Sequence, residues 1–424
     1  MGTRGRIVAA AALAAVTALA PICAPGAQAV QRAPDQHRAR ALLPEPGGPY
    51  PIGTTSLRLA DPGRPDPWVA GRSRELMISL WYPAARAPGP ADRRAPYMAP
   101  AAGEHFGGPD GTALLNYGVT PGSTDWSGIR THAVADAPAL PGAPRPVLLY
   151  SAGLGDPRTW GTALVEDLAS RGYVVVTVDH TYEASEVAFP DGRLATSVLP
   201  GMLGSPGLDI GAVLRTAMAA RVADTRLVLD RLPGLGGLPG LPEHLGSVLD
   251  PTRIGMLGHS AGGFTALQAM HDDPRIAAAV DLDGQLHFPG PDGTGVHLSE
   301  VAEDGLDRPF LLLGTRSEDS GGHRVQPGWD ALWQHSTGPR ADFTLEASRH
   351  GSLTDAEPLL PALAHQGALP TDRLRADLGD LPPARAGTAL HTYVAAFFDH
   401  WLRHRDTPLL DGPSPRFPEM TYHP

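Results

Sequence analysis

The feature that most constrains this chain is a serine flanked by glycines between a predicted strand and a predicted helix. The hexapeptide GHSAGG occupies positions 258–263 and places the serine at Ser260. A short apolar run typical of a strand precedes it at residues 253–257, and residues 264–270 have the pattern of a helix. So tight a turn strains the serine backbone, and only small residues fit two positions away on either side. The pattern therefore predicts a Ser260 hydroxyl raised above the end of a sheet.

Short apolar runs alternate with helical segments along most of the chain. The predicted strands cover residues 54–59, 75–82, 147–150, 174–178, 253–257, 277–282, 310–313 and 343–345. The predicted helices cover residues 160–171, 210–232, 264–270 and 388–404. Continuous apolar strands that alternate with helices are typical of a parallel sheet covered on both faces. Together with the serine turn, the pattern predicts an α/β-hydrolase fold with a mostly parallel central sheet and helices on both faces.

The first 29 residues have the pattern of a secretory signal peptide. Arg4 and Arg6 form a basic start, residues 7–20 are apolar, and Ala-Gln-Ala at 27–29 is a small-residue cleavage site. This pattern predicts a secreted, extracellular protein. The single cysteine, Cys23, lies within the signal, so the exported chain has no disulfide, thiol nucleophile or cysteine metal site.

The rest of the chain, residues 30–424, is predicted to form one domain. Residues 84–146 are rich in Ala, Pro and Gly, and we expect them to leave the sheet and roof a pocket. Residues 233–242 are too rich in Pro and Gly to be helix or strand, and we interpret them as a linker. The formal net charge of −11 disfavours nucleic acid and anionic membrane surfaces as partners.

Candidate partners for Ser260 follow it in the sequence. A serine hydroxyl is a weak nucleophile until a base takes its proton and an acid orients that base. His350 follows the last predicted parallel strand and is the predicted base, because the serine, the acid and the histidine come in that order in this fold. Asp283 ends the strand after the serine turn, whereas Glu318 and Asp319 end the next strand. Either position can reach the histidine, and the residues alone leave the choice open.

Two backbone N–H groups are predicted to stabilise a developing oxyanion. One belongs to Leu154, in the SAGLG loop at 151–155 after an early strand, and the other to Ala261, directly after the serine. Other polar residues have structural interpretations. We expect Asp281 to be buried or to face a backbone amide, and Asp179 and His180 to line a pocket or bind a loop.

No metal or cofactor is predicted. His323 lies near Glu318 and Asp319, but the spacing is not that of a metal site, and we expect an exposed polar loop there.

Seven segments, in order along the chain, resemble the plasma-type (isoform II) family of platelet-activating-factor acetylhydrolases, also called lipoprotein-associated phospholipases A2. They are PIGTT (51–55), LWYP (80–83), LYSAGLG (149–155), LASRGY (168–173), GHSAGG (258–263), LDGQLHFP (282–289) and SRH (348–350). The resemblance implies that Asp283 is the acid and that the substrates are phospholipids with short or oxidised sn-2 acyl chains. Family members often have a histidine where this chain has Ala152, a change that leaves the backbone donors in place. The Pro/Gly-rich linker before the serine turn is a second departure, so the shape of the pocket does not transfer.

The sequence therefore predicts a secreted serine esterase that needs no metal or cofactor. Its partners would be small-molecule esters or phospholipids, with transient contact to a lipid surface, no nucleic acid and no obligate protein partner. The first alternative is a general carboxylesterase, lipase or polyester hydrolase with the same chemistry. The second alternative is a catalytically inactive hydrolase fold that acts as a binding protein.

Overall fold

An eleven-stranded sheet organises the protein. The computed structural model describes residues 38–85, 94–203, 205–237, 240–291, 293–316 and 322–424. The predicted signal peptide lies outside these described residues. The strands are β1 (Ile52–Pro65), β2 (Ser73–Pro83), β3 (Arg94–Pro96), β4 (Arg130–Ala135), β5 (Arg145–Ser151), β6 (Val174–Asp179), β7 (Glu186–Ala188), β8 (Leu194–Thr196), β9 (Leu249–His259), β10 (Ile276–Leu282), β11 (His287–Phe288), β12 (His297–Leu298), β13 (Phe310–Thr315), β14 (Arg340–Leu345) and β15 (Met420–Tyr422).

Helices connect most of these strands. They are α1 (Pro100–Phe106), α2 (Thr112–Leu115), α3 (Thr162–Ser170), α4 (Leu199–Leu203), α5 (Ile210–Arg231), α6 (Ala261–Asp272), α7 (Glu300–Asp304), α8 (Pro327–His335), α9 (Ala356–His365), α10 (Thr371–Leu378) and α11 (Pro383–Arg403). Within the described residues, no helix is long and apolar enough to cross a membrane.

The middle of the sheet is parallel, as predicted. The strand order is β15-β14-β13-β10-β9-β5-β6-β2-β1-β4-β3, and every neighbouring pair from β14 to β6 is parallel. Strand β2 joins β6 and β1 in antiparallel pairs, and β15 closes the other edge antiparallel to β14. The predicted fold class is confirmed.

Both faces of the parallel strands are buried, which explains their continuous apolar runs. Successive side chains of a strand point to opposite faces of the sheet. Leu148 and Val175 accordingly lie in the hydrophobic cluster that includes α3 and α11. Leu149 and Val176 lie in the cluster on the other face, which includes α5 and α6. A polar residue in the middle of these strands would face one of the two cores, so the sequence shows no alternation.

Residues 84–146 depart in part from the prediction that they leave the sheet. Strand β3 pairs with β4, and β4 pairs with β1, so both extend the sheet at its edge. The sequence of β4, RTHAVA, is too polar and too short to stand out as a strand. Helices α1 and α2 do leave the sheet, and Thr112 Oγ1 of α2 donates to Gly155 O at 3.2 Å. The predicted linker at 233–242 is also partly ordered, because residues Leu232–Gly237 form a 3-10 helix.

Candidate active site

Ser260 is the single residue between a strand and a helix. Strand β9 ends at His259 and α6 begins at Ala261, and Ser260 between them has φ 57° and ψ −122°. Few non-glycine residues adopt such a backbone conformation, and it persists only where the surroundings impose it. The turn is held because the Ser260 N–H donates to Leu282 O at 2.8 Å. A Cβ on Gly262 would lie 1.9 Å from Ser151 O, so only glycine allows α6 to start this close to β5.

Asp283 and His350 meet beside this turn. Asp283 follows β10 with φ 61°, and His350 begins the 3-10 helix His350–Leu353 in the loop after β14. The distance between His350 Nδ1 and Asp283 Oδ2 is 2.7 Å. Thr315, at the end of β13, donates its N–H to Asp283 Oδ1 at 3.0 Å and its hydroxyl to Oδ2 at 2.8 Å. Three donors from two residues, Thr315 and His350, therefore hold one carboxylate.

The electrostatics of this pair favour the charged carboxylate. Burial raises the pKa of Asp283, but the hydrogen bond and charge of His350, together with the two Thr315 donors, outweigh it and hold the pKa below its ordinary value. Loss of solvent lowers the pKa of His350, but the hydrogen bond and charge of Asp283 outweigh it and raise the pKa. Half of the His350 side chain stays exposed. A neutral His350 that donates from Nδ1 to Asp283 has Nε2 free to accept a proton.

His259, the residue directly before the serine, connects His350 to the turn. Its Nε2 lies 3.0 Å from His350 O, and the two imidazole rings are 4.3 Å apart between centroids. Burial, and then the charge of His350, lower the pKa of His259 to about 3. His259 is therefore neutral and donates from Nε2 to the His350 carbonyl. The loop that carries His350 is thus fixed directly to the end of β9.

The predicted oxyanion donors lie on the two segments that approach each other at Gly262. Leu154 belongs to the loop after β5, and Ala261 is the first residue of α6. Within the described part of the chain, neither N–H has a hydrogen-bond partner. Unpaired backbone N–H groups beside a nucleophile can bind the negative oxygen of a tetrahedral intermediate.

A buried carboxyl group, Asp156, lies behind this loop. Burial raises its pKa to about 7, against the charges of His350 and Arg221. Its Oδ1 has no hydrogen-bond partner among the described residues. A Cβ on Gly153 would lie 2.6 Å from Asp156 Oδ2 and 3.2 Å from His259 Nδ1, so the loop is packed against both residues. Asp156 changes its charge near neutral pH within the field of His350.

The fold agrees with the comparisons to known proteins. The family model for isoform II platelet-activating factor acetylhydrolase matches residues 39–190. The solved structure of a ferulic acid esterase from Streptomyces cinnamoneus is 38% identical, with a TM-score of 0.72 over 90% of this chain and 99% of that one. The chain is a platelet-activating-factor acetylhydrolase-like α/β-hydrolase.

Curated relatives agree with this assignment. A probable 1-alkyl-2-acetylglycerophosphocholine esterase from the fungus Arthroderma benhamiae is 27% identical over 90% of this chain and 93% of its own length. The platelet-activating factor acetylhydrolase of the dog, Canis lupus familiaris, is 29% identical over 37% of this chain and 39% of its own length. The protein is a carboxylic ester hydrolase, so the prediction of an ester-hydrolysing enzyme is confirmed.

Other predicted residues of this α/β-hydrolase have mixed outcomes. The alternative acids Glu318 and Asp319 lie outside the described residues. Asp281 is buried, and its Oδ1 accepts the Gly284 N–H at 2.8 Å, as predicted. The prediction of an exposed loop is wrong at His323. This residue is buried, and its Nδ1 lies 2.8 Å from Asp342 Oδ2. No cluster of three or more potential metal ligands occurs among the described residues.

A cavity of about 560 Å³ in this hydrolase lies far from the serine turn. It opens at the amino ends of β5, β6 and β9, whereas Ser260 follows the carboxyl end of β9. Its charged lining residues are Arg145, Arg171, Arg253, Asp399, Arg403 and Arg405. In open α/β sheets, ligands bind outside the carboxyl ends of the strands, so this cavity is not the ester site.

Three residues of the site were not predicted from the sequence. Thr315 orients Asp283, His259 anchors the His350 loop, and Arg221 contacts the loop that carries Leu154. Only Arg221 has a signal in the sequence. It lies three residues before Asp224 on the predicted helix 210–232, in a stretch otherwise rich in apolar residues. Buried charges need partners, so two charged residues in an apolar part of a helix indicate a buried network of ion pairs.

Proposed function

We propose that Ser260 is the nucleophile of this esterase, His350 its general base and Asp283 the acid that orients the base. The observation that carries this assignment is the 2.7 Å contact between His350 Nδ1 and Asp283 Oδ2 beside the strained Ser260 turn. The pKa directions support it, because the pair favours an ionised Asp283 and a more basic His350. This is the division of roles in a serine–histidine–aspartate triad.

The reaction then proceeds in two halves. His350 Nε2 takes the hydroxyl proton of Ser260 while the serine oxygen attacks the ester carbonyl carbon. The N–H groups of Leu154 and Ala261 stabilise the resulting oxyanion, and His350 returns the proton to the leaving alcohol. Water repeats these steps on the acyl-enzyme, which releases the carboxylic acid and restores Ser260. Asp283 remains ionised and stabilises the imidazolium formed in each half.

For the substrate, we propose phospholipids with short or oxidised sn-2 acyl chains. The match along most of the chain to a fungal protein named as a probable 1-alkyl-2-acetylglycerophosphocholine esterase supports this class. The 38% identity to a ferulic acid esterase over 99% of its chain favours a second candidate, esters of hydroxycinnamic acids. A general carboxylesterase would hydrolyse both classes without strong preference.

A substrate panel separates these candidates. The panel consists of a 1-alkyl-2-acetyl phosphocholine, its 2-palmitoyl counterpart, methyl ferulate and p-nitrophenyl acetate, each assayed with wild-type protein and Ser260→Ala. We expect the highest kcat/KM on the 2-acetyl lipid, a loss of at least tenfold on the 2-palmitoyl lipid, and no turnover by the variant. A preference for methyl ferulate would select the second candidate. Equal rates on all small esters would contradict the phospholipid class.

We also propose that residues 1–29 direct export and are removed. The basic, apolar and small-residue regions of this segment support the proposal. Expression of the full chain in a secreting host should release protein whose N-terminus, read by mass spectrometry, begins near Val30. Protein retained in the cells with Met1 intact would contradict it. Transient contact with a lipid surface is part of the same proposal, and co-sedimentation with phosphatidylcholine vesicles tests it.

A further inference from the structure

A second serine, histidine and aspartate lie in a row directly beneath the loop after β5 that carries Leu154, which we call the oxyanion loop. Ser151 Oγ lies 3.0 Å from His180 Nε2, and His180 Nδ1 lies 2.9 Å from Asp224 Oδ2. The three residues are 1%, 3% and 0% exposed, so no ester can reach them. Ser151 Oγ also accepts a hydrogen bond from Arg221 Nη1 at 3.0 Å. This group has the order of a catalytic triad but is sealed inside the protein.

The protonation states of this buried group follow from its surroundings. Burial, and then the positive charge of Arg221, lower the pKa of His180, so its imidazole is neutral. Burial raises the pKa of Asp224, but the charge of Arg74 and the hydrogen bond from His180 outweigh it and hold the pKa low. His180 therefore donates a hydrogen bond from Nδ1 to the Asp224 carboxylate and accepts one from the Ser151 hydroxyl at Nε2. The hydroxyl of Ser151 is fixed in one orientation.

Arg221, in α5, connects this group to the backbone of the oxyanion loop. Its Nη1 donates to Ala152 O at 2.6 Å and its Nη2 donates to Gly153 O at 2.9 Å. The guanidinium is held in place by Glu183, whose Oε1 accepts from Nε at 2.7 Å and also from Nη2. Arg221 is 1% exposed, so these bonds form without competition from water. A planar guanidinium presents its donors in a fixed fork, which suits two consecutive carbonyl groups.

The Gly153 carbonyl and the Leu154 N–H belong to the same peptide unit. A peptide unit is planar and trans, so its C=O and N–H point in opposite directions. A cation bound to the oxygen thus fixes the direction of the N–H on the other side. It also polarises the peptide and makes the N–H a stronger donor, because hydrogen bonds in a chain reinforce one another. We propose that Arg221 is the positioning residue of the oxyanion hole, which it aligns through the Gly153–Leu154 peptide.

This role rests on the proposed function, in which the Leu154 N–H binds the oxyanion. It also bears on Ala152, which lies where members of the resembled family often have a histidine. Arg221 contacts the backbone carbonyl of Ala152, a group that does not depend on the side chain. The loop can therefore be rigid in this chain without a large residue at that position.

Substitutions at Arg221 test the proposal. Arg221→Lys keeps the positive charge beside Glu183, but a single ammonium cannot bind both carbonyl groups in the same geometry. The double variant Arg221→Gln with Glu183→Gln removes both charges, so no unpaired charge is left inside the protein if Arg221→Lys does not fold. The matched control is Arg308→Lys. Arg308 Nη1 also donates to two backbone carbonyls, Asp273 O at 3.0 Å and Ile276 O at 2.9 Å, but at the amino end of β10.

The readouts separate positioning from folding. For folded protein, checked by circular dichroism, we expect kcat on p-nitrophenyl acetate to fall at least tenfold in either Arg221 variant, with KM within threefold. Removal of an oxyanion donor lowers kcat by roughly 10²–10³ in other enzymes, and a misaligned donor should cost part of that. The inhibition constant of an alkyl boronic acid, which mimics the tetrahedral oxyanion, should rise by the same factor as kcat falls. The Arg308→Lys control should change neither.

Two results would overturn the proposal. One is a folded Arg221 variant whose kcat stays within threefold of the wild type. The other is a fall in kcat without a matching loss of boronic acid affinity. Failure of the underlying function would look different, because a fluorophosphonate would then label a serine other than Ser260, or no serine, in the wild-type protein. Ser151→Ala should retain labelling at Ser260.

Discussion

Asp281 and Asp283 lie two residues apart at the end of β10, yet the pKa values of their carboxyl groups are shifted in opposite directions. Burial raises the pKa of Asp281 well above its ordinary value, and its oxygens accept hydrogen bonds from Gly284 N and Trp329 Nε1. The pKa of Asp283 is lowered despite its burial, because His350 and Thr315 bind its oxygens. Asp281 lies within the strand, whereas Asp283 follows it with a φ of 61° and contacts the histidine.

This difference predicts the outcome of paired substitutions. Asp283→Asn should lower kcat by roughly 10⁴, because the amide cannot hold the required tautomer of His350. Asp281→Asn should lower the melting temperature, because the amide keeps one acceptor where the carboxyl has two, and kcat should fall less than tenfold. Steady-state kinetics at pH 8 on both folded proteins provide the comparison. If Asp281→Asn lowered kcat more than Asp283→Asn does, the assignment of Asp283 as the acid would be wrong.

The pH profile should report His350. Its pKa is raised above the ordinary 6.5 by Asp283, and only the neutral imidazole can accept the serine proton. The value of kcat/KM should therefore fall as the pH drops through a midpoint above 6.5. In Asp283→Asn the raising charge is gone, so the midpoint of the residual activity should move to lower pH. A midpoint that does not move in this variant would show that the titrating group is not His350.

Asp156 should shift the same profile from a distance. Its negative charge contributes to the raised pKa of His350, and its own pKa is about 7. Asp156→Asn removes this charge with little change of shape, so the acidic midpoint of kcat/KM should move to lower pH while the plateau rate changes less than tenfold. Measurement of the full profile from pH 5 to pH 9 decides this. An unchanged midpoint would mean that Asp156 does not act on His350.

Paired glycine substitutions test the packing at the turn. Gly262→Ala should abolish activity and lower the melting temperature, since its Cβ would lie 1.9 Å from Ser151 O. Gly387→Ala, within α11, meets nothing within 4 Å and should be neutral or stabilise the protein by about 0.5–1 kcal/mol. Thermal melting of both variants provides the measurement. A Gly262→Ala variant as stable and active as the wild type would contradict the close approach of α6 to β5.

The parallel strands could be predicted from the sequence because burial on both faces leaves a local signature. Residues 147–150 and 174–178 are hydrophobic at every position but Thr177, so their strand assignment needs no knowledge of their neighbours. Helix α9 gave no such signal, because it contains Pro358 and Pro361 within ten residues. Its buried Leu359, Leu360 and Leu363 pack into the cluster around Trp126 and Trp160, and this tertiary contact outweighs the low helix propensity.

The candidate site shows the same division between local and distant information. Ser260 could be predicted because its turn requires glycines within five residues. The choice of Asp283 depended on resemblance, since the sequence does not show which of several loops approaches His350. The environment of His323 was predicted wrongly because its burial depends on Asp342 and on stacking against Trp333, whose ring centroid is 4.0 Å away. Arg221 contacts carbonyls about seventy positions earlier, which no local pattern can show.

Covalent labelling tests the central claim, that Ser260 is the nucleophile, most directly. The wild-type protein and Ser260→Ala are incubated with a fluorophosphonate, digested and analysed by peptide mass spectrometry. One label per molecule should appear on the peptide that contains Ser260, and ester hydrolysis should stop in proportion to labelling. Ser260→Ala should take up no label, keep its fold and lose about 10⁶ in kcat. Label on another serine, or an active Ser260→Ala, would contradict the claim.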